Sequence, residues 1–256
     1  MPRLAANLSM LFTERPFLER FATAAAAGFR YVEYQFPYAW PADEVADAAR
    51  RAGVQVVLHN LPAGDMAAGE RGIACLPGRE AEFRAGVEQA IGYARAAGCP
   101  RLNCLAGLGP VDRAHFDTLV ANVRHAARRL SQAGLQLVIE PINTHTVPGF
   151  FLTGTRQAIE VLDAAGESGA ALQYDVFHMQ IMEGDLAATL ERLLARIGHV
   201  QIADVPARHE PGTGEINFAF LLAHLDAIGY AGWVGCEYNP LGDTVEGLKW
   251  ARPYLR

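Results

Sequence analysis

Three apolar runs in this chain each end on an acid: Leu-Val-Ile-Glu140, Ala-Leu-Gln-Tyr-Asp175 and Trp-Val-Gly-Cys-Glu237. A carboxylate is costly to bury without a partner, so an acid that closes a buried segment calls for a cation, a donor or water. The run between the last two, Gly-His-Val-Gln-Ile-Ala-Asp (198–204), sets His199, Gln201 and Ala203 on one face if it has the two-residue period of a strand. With that face turned inward, Glu140, Asp175, Gln201 and Glu237 form one pocket of four oxygen donors. Such a set suits a hard divalent ion, Mg2+ or Mn2+. The two glutamates can then face each other across a bound ligand. One acid at a strand end is more often a cap or a surface residue; only the set points to chemistry.

Other polar residues are candidates for holding a substrate. His59, in Val-Val-Leu-His-Asn, can hydrogen-bond a substrate oxygen or serve a structural role. His178 follows Asp175 by three residues, at the opening of a loop, within reach of the same pocket. Arg71 and Arg208, on long loops, are candidate clamps for a carboxylate. His145 reads as surface. Tyr34, Phe36, Tyr38 and Trp40 wall a pocket or cover its mouth, and Asn7 is a polar rim residue or a turn former.

The elements that must position these groups alternate along the chain. Apolar runs at 4–8, 31–34, 54–59, 101–104, 135–140, 171–175, 199–203 and 233–237 read as strands. Helical stretches fall near 15–27, 42–52, 79–97, 112–133, 155–165, 186–196, 217–228 and 244–251. Gly28, Gly53, Gly98, Gly134, Gly166 and Gly229 suit left-handed helix ends, and Pro16 suits a first helical turn. Strand-helix alternation calls for a parallel sheet, and eight repeats in 256 residues favour one closed (β/α)8 TIM barrel over the whole chain, 1–256. No GxGxxG follows the first strand, and no nicotinamide or flavin is expected. The long segments 60–78, 141–154 and 204–216 all leave strands, so they gather at the C-terminal face, where barrel active sites are built. The first of these is a candidate lid.

Composition narrows the partners. A formal charge of -6 argues against nucleic acid, whose partners usually carry a basic face. Four dispersed cysteines with no CxxC pair read as reduced thiols in a cytosolic protein. No signal-peptide run and no membrane-length apolar stretch is present. A homo-oligomer stays open.

These residues stand in stretches that resemble the hydroxypyruvate isomerase family, within the xylose-isomerase-like barrels. The matching stretches include Ala-Ala-Asn-Leu-Ser-Met-Leu-Phe (5–12), Leu-His-Asn-Leu-Pro-Ala-Gly-Asp (58–65), Ile-Glu-Pro-Ile-Asn (139–143), Gln-Tyr-Asp-Val-Phe-His-Met-Gln (173–180) and His-Glu-Pro-Gly-Thr-Gly-Glu-Ile-Asn (209–217). With the others at 68–80, 148–150, 199–204 and 232–238, they cover essentially the whole chain. The resemblance implies that Glu140 and Glu237 donate and accept the proton, and that Glu140, Asp175, Gln201 and Glu237 hold a divalent metal. Gln201 stands where related sugar epimerases place a histidine, a departure that favours Mg2+ over softer ions. The implied substrate is a small anionic hydroxy-carbonyl acid. Hydroxypyruvate would become tartronate semialdehyde through an enediolate.

Rival readings share the pocket: isomerisation of a 2-oxo-tetronate, or epimerisation of a small ketose. A metal-dependent nuclease of the endonuclease IV type would show more histidine ligands and a basic groove. A non-catalytic sugar-acid binding protein would lack an acid at a strand end, and all three are present.

Overall fold

A computed structural model describes residues 2–255. The eight strands are β1 (Arg3–Asn7), β2 (Tyr31–Glu33), β3 (Gln55–Asn60), β4 (Arg101–Cys104), β5 (Gln136–Ile139), β6 (Ala170–Asp175), β7 (Ile197–Ile202) and β8 (Trp233–Cys236). They pair in chain order, all parallel, and β8 closes on β1. Around them lie α1 (Phe17–Ala26), α2 (Ala42–Ala52), α3 (Glu80–Ala97), α4 (Arg113–Gln132), α5 (Thr155–Ala165), α6 (Val176–Met182), α7 (Leu186–Leu193), α8 (Phe218–Ala227) and α9 (Thr244–Gly247). Short 3-10 turns extend α7 and α9. The expected barrel is thus the observed fold.

Local sequence accounts for most boundaries. In α2, Asp43 and Glu44 sit in the first turn and Arg50 and Arg51 in the last, complementing the helix dipole. Gly53 then leaves that helix at φ 70°, a conformation open to glycine. Asp112 caps α4 by accepting from the His115 N–H, and Asn217 caps α8 by accepting from Phe220. Pro16 stands one residue outside α1 and does not form part of its first turn.

Two features depart from the expected pattern. Residues 176–182 are not a loop but helix α6, because the Asp175 carboxylate accepts from the Phe177 and His178 N–H groups and so starts a helix where the strand ends. The pairing of β2 with β3 also shifts register, with Val32 opposite Val56 but Glu33 opposite Leu58. This bulge changes which side chains of β3 face the lumen.

The main core lies between barrel and helices, and a smaller apolar plug (Ala5, Val57, Leu58, Val138 and Ala171) fills the lumen with Tyr31 and Trp233. Above the plug the lumen is polar. Rim loops are tied to one another: Cys75 N–H donates to the Ala106 carbonyl (2.7 Å) and Phe151 N–H to the Gly107 carbonyl (2.9 Å). Gly72 makes the first contact feasible. Its φ is 108°, and a Cβ there would lie 2.4 Å from the Leu105 carbonyl oxygen. Of the candidate lid, only the outer turn around 65–70 stands away from these ties, and it too carries an ion pair, Glu70 with Arg79 at 2.7 Å.

Candidate active site

Glu140, Asp175 and Glu237 leave β5, β6 and β8 at the C-terminal rim, and all three are buried. Asn103, on β4, donates to Glu140 Oε2 at 2.7 Å. Asp175 spends Oδ1 on the start of α6, leaving Oδ2 toward the lumen. Glu237 Oε1 accepts from Asn7 Nδ2 (3.0 Å) and Gln35 Nε2 (3.1 Å). Its other oxygen is bound by the Arg208 Nη2, which also lies 3.3 Å from Asp175 Oδ2. One guanidinium therefore joins two of the three acids.

The loop after β7 delivers that guanidinium. Buried Asp204 accepts from the N–H groups of Val205 (3.0 Å), Gly212 (2.9 Å), Gly214 (2.9 Å) and Ile216 (3.1 Å), folding the loop around itself. Arg208 sits at φ 59°, in the left-handed region that non-glycine residues seldom adopt. Its backbone is held at both ends, by the Asp204 carbonyl and by the Asn239 N–H. The side chain lies over the Phe177 ring, 5.1 Å from its centroid.

Burial and mutual repulsion set the charge states. Glu140 is pushed well above the ordinary carboxylate range, by burial first and then by the charges of Glu237 and Asp175. Burial raises Glu237 to about 7 although Arg208 pulls it down. Asp175 is raised by burial against the pull of Arg208 and two backbone N–H groups. Burial opposes the charge of Arg208, but the three carboxylates outweigh it and raise its pKa. Both glutamates therefore hold a proton more tightly than an ordinary carboxyl group, as acid–base chemistry near neutral pH requires.

His178 completes the cluster from α6. Its Nδ1 faces the backbone N–H of Asn143 (3.3 Å) and the Asn143 amide nitrogen (2.6 Å). The Asn143 oxygen is taken by His145 N–H, Thr146 N–H and the Thr146 hydroxyl, so the amide cannot be reversed. Nδ1 is then an acceptor, and burial holds the ring neutral by lowering its pKa far below the usual value. The ring proton accordingly sits on Nε2, which lies 3.6 Å from Asp175 Oδ2 and 4.0 Å from Glu140 Oε1. His178 presents a donor to whatever binds there.

Three of the remaining sequence candidates have other hydrogen-bond or packing partners. Gln201, the register partner of Asp175, does face the lumen, but its amide is engaged at both ends. Nε2 donates to Glu33 (2.7 Å), and Oε1 accepts from Gln173 Nε2 (2.6 Å). His59 shares its side of the sheet with Leu102, its register partner, and stacks on Tyr34 at 5.8 Å. The bulge in the β2–β3 pairing sends it to the barrel-helix shell and turns Asn60 inward instead, where Asn60 meets Asn103. Arg71 donates to the Met66 and Glu70 carbonyls of its own loop, and no contact joins it to the acids. Tyr34 and Tyr38 pack around His59 and Trp40 stacks on Phe17, so these three cover the barrel from outside. Asn7 proves to be a lumen residue.

The sequence reading passed over Glu33, Gln35, Asn103 and Asn143. A signal existed for the first: Tyr-Val-Glu33 is also an apolar run closed by an acid. The amides carried none, because an Asn or Gln at a strand end is common in turns.

The donor set fits a hard divalent ion in part. Donor atoms of Glu140, Asp175 and His178 lie within 4.8 Å of one another, and the surplus of buried negative charge calls for a cation. The carboxylates meet this demand, whereas His178 in its present tautomer offers N–H. A cavity of about 720 Å³ beside Phe116, Phe151 and Met182 lies apart from the acids. All four cysteines are free and buried. Among the described residues no helix is long and apolar enough to cross a membrane.

Comparison with known proteins agrees with this fold. The profile of the xylose isomerase-like TIM barrel family matches residues 21–254. The hydroxypyruvate isomerase of Escherichia coli (strain K12) is 52% identical over 258 residues, covering 99% of this chain and 100% of that protein. A 2-oxo-tetronate isomerase from Cupriavidus necator is 47% identical, covering 100% and 99%. A solved Brucella melitensis structure described as an AP endonuclease, family 2, superposes with a TM-score of 0.98 at 46% identity, with both chains fully covered. The chain belongs to the xylose isomerase-like TIM barrel family and, within it, to the hydroxypyruvate isomerases and their relatives.

Proposed function

We propose that this enzyme interconverts hydroxypyruvate and tartronate semialdehyde by acid–base transfer of a proton between C3 and C2. The observation that carries the reading is the convergence of two buried glutamates on one polar pocket beside the Arg208 guanidinium. Glu237, raised to about 7 by burial, has Oε1 tethered by two amides, and Oε2, which Arg208 contacts, is the atom assigned to take the C3 proton. The resulting enediolate spreads negative charge over O2 and O3, where the Arg208 guanidinium and the His178 Nε2–H supply positive charge and a donor. Glu140, whose pKa burial raises, is assigned to deliver a proton to C2. The O3 proton passes to O2, and the two glutamates exchange roles in the reverse direction. Atoms balance without any redox cofactor.

A divalent ion, when bound, would be held by Glu140, Asp175 and Glu237 and would neutralise charge on the enediolate oxygens. Because Arg208 addresses the same oxygens, ion and guanidinium share one charge-balancing task. The substrate's own carboxylate is assigned to Arg208, whose Nε has no partner in the structure.

Incubation with hydroxypyruvate in D2O, followed by NMR, tests the reading. Tartronate semialdehyde carrying solvent deuterium at C2 is expected, and Glu140→Gln or Glu237→Gln should fold normally and lose about 10²- to 10⁴-fold in turnover. Wild-type-like turnover in either variant would remove that residue from the mechanism.

Relatives named 2-oxo-tetronate isomerase, at 47% and 45% identity, support a second substrate one carbon longer. The same carboxylates would serve it, and the ratio of kcat/KM for the two acids decides between them.

A further inference from the structure

We propose that Glu33 is a positioning residue: clamped at the barrel centre by His199 and Gln201, it fixes the Asn7 amide and, through it, the carboxylate of Glu237. The proposal rests on the acid–base reading of Glu237 given above and adds a residue beneath it.

Glu33 closes β2, faces the lumen and has no solvent exposure. A carboxylate so placed must be fully hydrogen-bonded, and it is. Oε1 accepts from Asn7 Nδ2 (3.0 Å) and Gln201 Nε2 (2.7 Å). Oε2 lies 2.7 Å from His199 Nε2. The other ring nitrogen of His199 faces Arg101 Nη1 at 3.4 Å, and arginine can only donate, so Nε2 carries the proton and points it at Glu33. Below the acids a chain of donors thus runs from Arg101 through His199 to Glu33.

The link upward is Asn7. Its Oδ1 accepts from the Ser9 N–H at 3.1 Å, which forbids an amide flip and leaves both Nδ2 protons for carboxylates. One goes to Glu33 and the other to Glu237 Oε1. The anchored side of Glu237 is therefore set by an amide that Glu33 holds. β8 is shaped to admit this arrangement. Gly235 lies two residues before Glu237, and a Cβ there would stand 2.4 Å from both Glu33 oxygens. The pocket for the buried acid exists because β8 has no side chain at that point.

Two functions for Glu33 compete, positioning and plain support of the barrel, and kinetics separate them. Steady-state kcat and KM for hydroxypyruvate are measured, with Tm, for Glu33→Ala, Glu33→Gln, Asn7→Ala, the Glu33→Ala/Asn7→Ala double variant and Glu237→Gln. Glu33→Ala is expected to lower kcat about 10- to 100-fold with KM within about twofold, since misplacement of a reacting group by about 1 Å costs that much. Glu33→Gln keeps an oxygen facing Asn7 and should recover part of the loss. The double variant should be no slower than the slower single one, because both act through one chain of contacts.

A Glu33→Ala kcat near wild type, or losses that multiply in the double variant, would overturn the proposal. Should Glu33→Ala fail to fold, Glu33→Gln in the Asn7→Ala background serves instead, and a further loss there overturns it. Glu237→Gln keeps the two ideas apart. If that variant is inactive while the Glu33 variants behave normally, only the positioning role falls. If it turns over like wild type, the acid–base reading itself falls.

Discussion

Glu140 and Glu237 carry the same functional group on strands three steps apart around the ring, and burial raises the pKa of both. Both are desolvated and both have acidic neighbours, but Glu237 keeps two amide donors and direct contact with Arg208, whereas Glu140 has one amide. Charge on Arg208 is what keeps Glu237 as low as about 7. Replacing it with a neutral side chain removes a force that favours the carboxylate, so the pKa must rise. In metal-free protein with 13C-labelled glutamate, Glu237 is expected to titrate near 7, and in Arg208→Gln at a clearly higher pH. A titration that does not move would show that Arg208 does not govern this carboxylate.

At the scale of elements, one bulge and one short helix decide where two histidines act. Helix α6 exists because Asp175 is both a strand end and an N-cap, and it swings His178 back over the acids. The β2–β3 bulge sends His59 out against Tyr34, where burial lowers its pKa to about 4. A histidine whose folded pKa lies below its unfolded value near 6.5 stabilises the fold above pH 6.5. That stability is lost as pH falls from 6.5 through 4, because the unfolded chain binds the proton first. The shift corresponds to roughly 3 kcal/mol at pH 4 and below. His59→Phe, which keeps a ring against Tyr34, should flatten urea-derived stability between pH 6.5 and 4 while leaving turnover per folded molecule within a few-fold. Unchanged acid sensitivity would place the titrating group elsewhere, His178 and His199 being lowered by burial as well.

For the whole molecule, the closed ring gathers negative charge at one end. Three acids from β5, β6 and β8 meet there with one arginine between two of them, on a chain that already carries -6. A ligand that binds only the folded state raises its stability by about 2.7 kcal/mol at a hundredfold excess over Kd. Mn2+ or Mg2+ should accordingly raise Tm by several degrees, chelation should reverse the rise, and Asp175→Asn should abolish it. No shift in the wild type with either ion would leave Arg208 as the cation of the site.

Much of this was legible in the chain itself. The eight runs that read as strands are the eight strands, and Gly28, Gly53, Gly98, Gly134, Gly166 and Gly229 all have positive φ. These signals are local: an apolar run, a cap and a turn each depend on a few neighbouring residues. Three strand-end acids also followed from position alone, because burial makes a charged residue conspicuous. What only the folded ring decided was direction and partnership. Alternation is a parity rule, and a single bulge reversed it for His59. The engagement of Gln201 with Glu33, the tautomer of His178 and the bridge made by Arg208 join residues from different strands, and Asn7 reaches Glu237 across 230 positions. Their hydrogen bonds depend on distances that no short stretch of sequence contains.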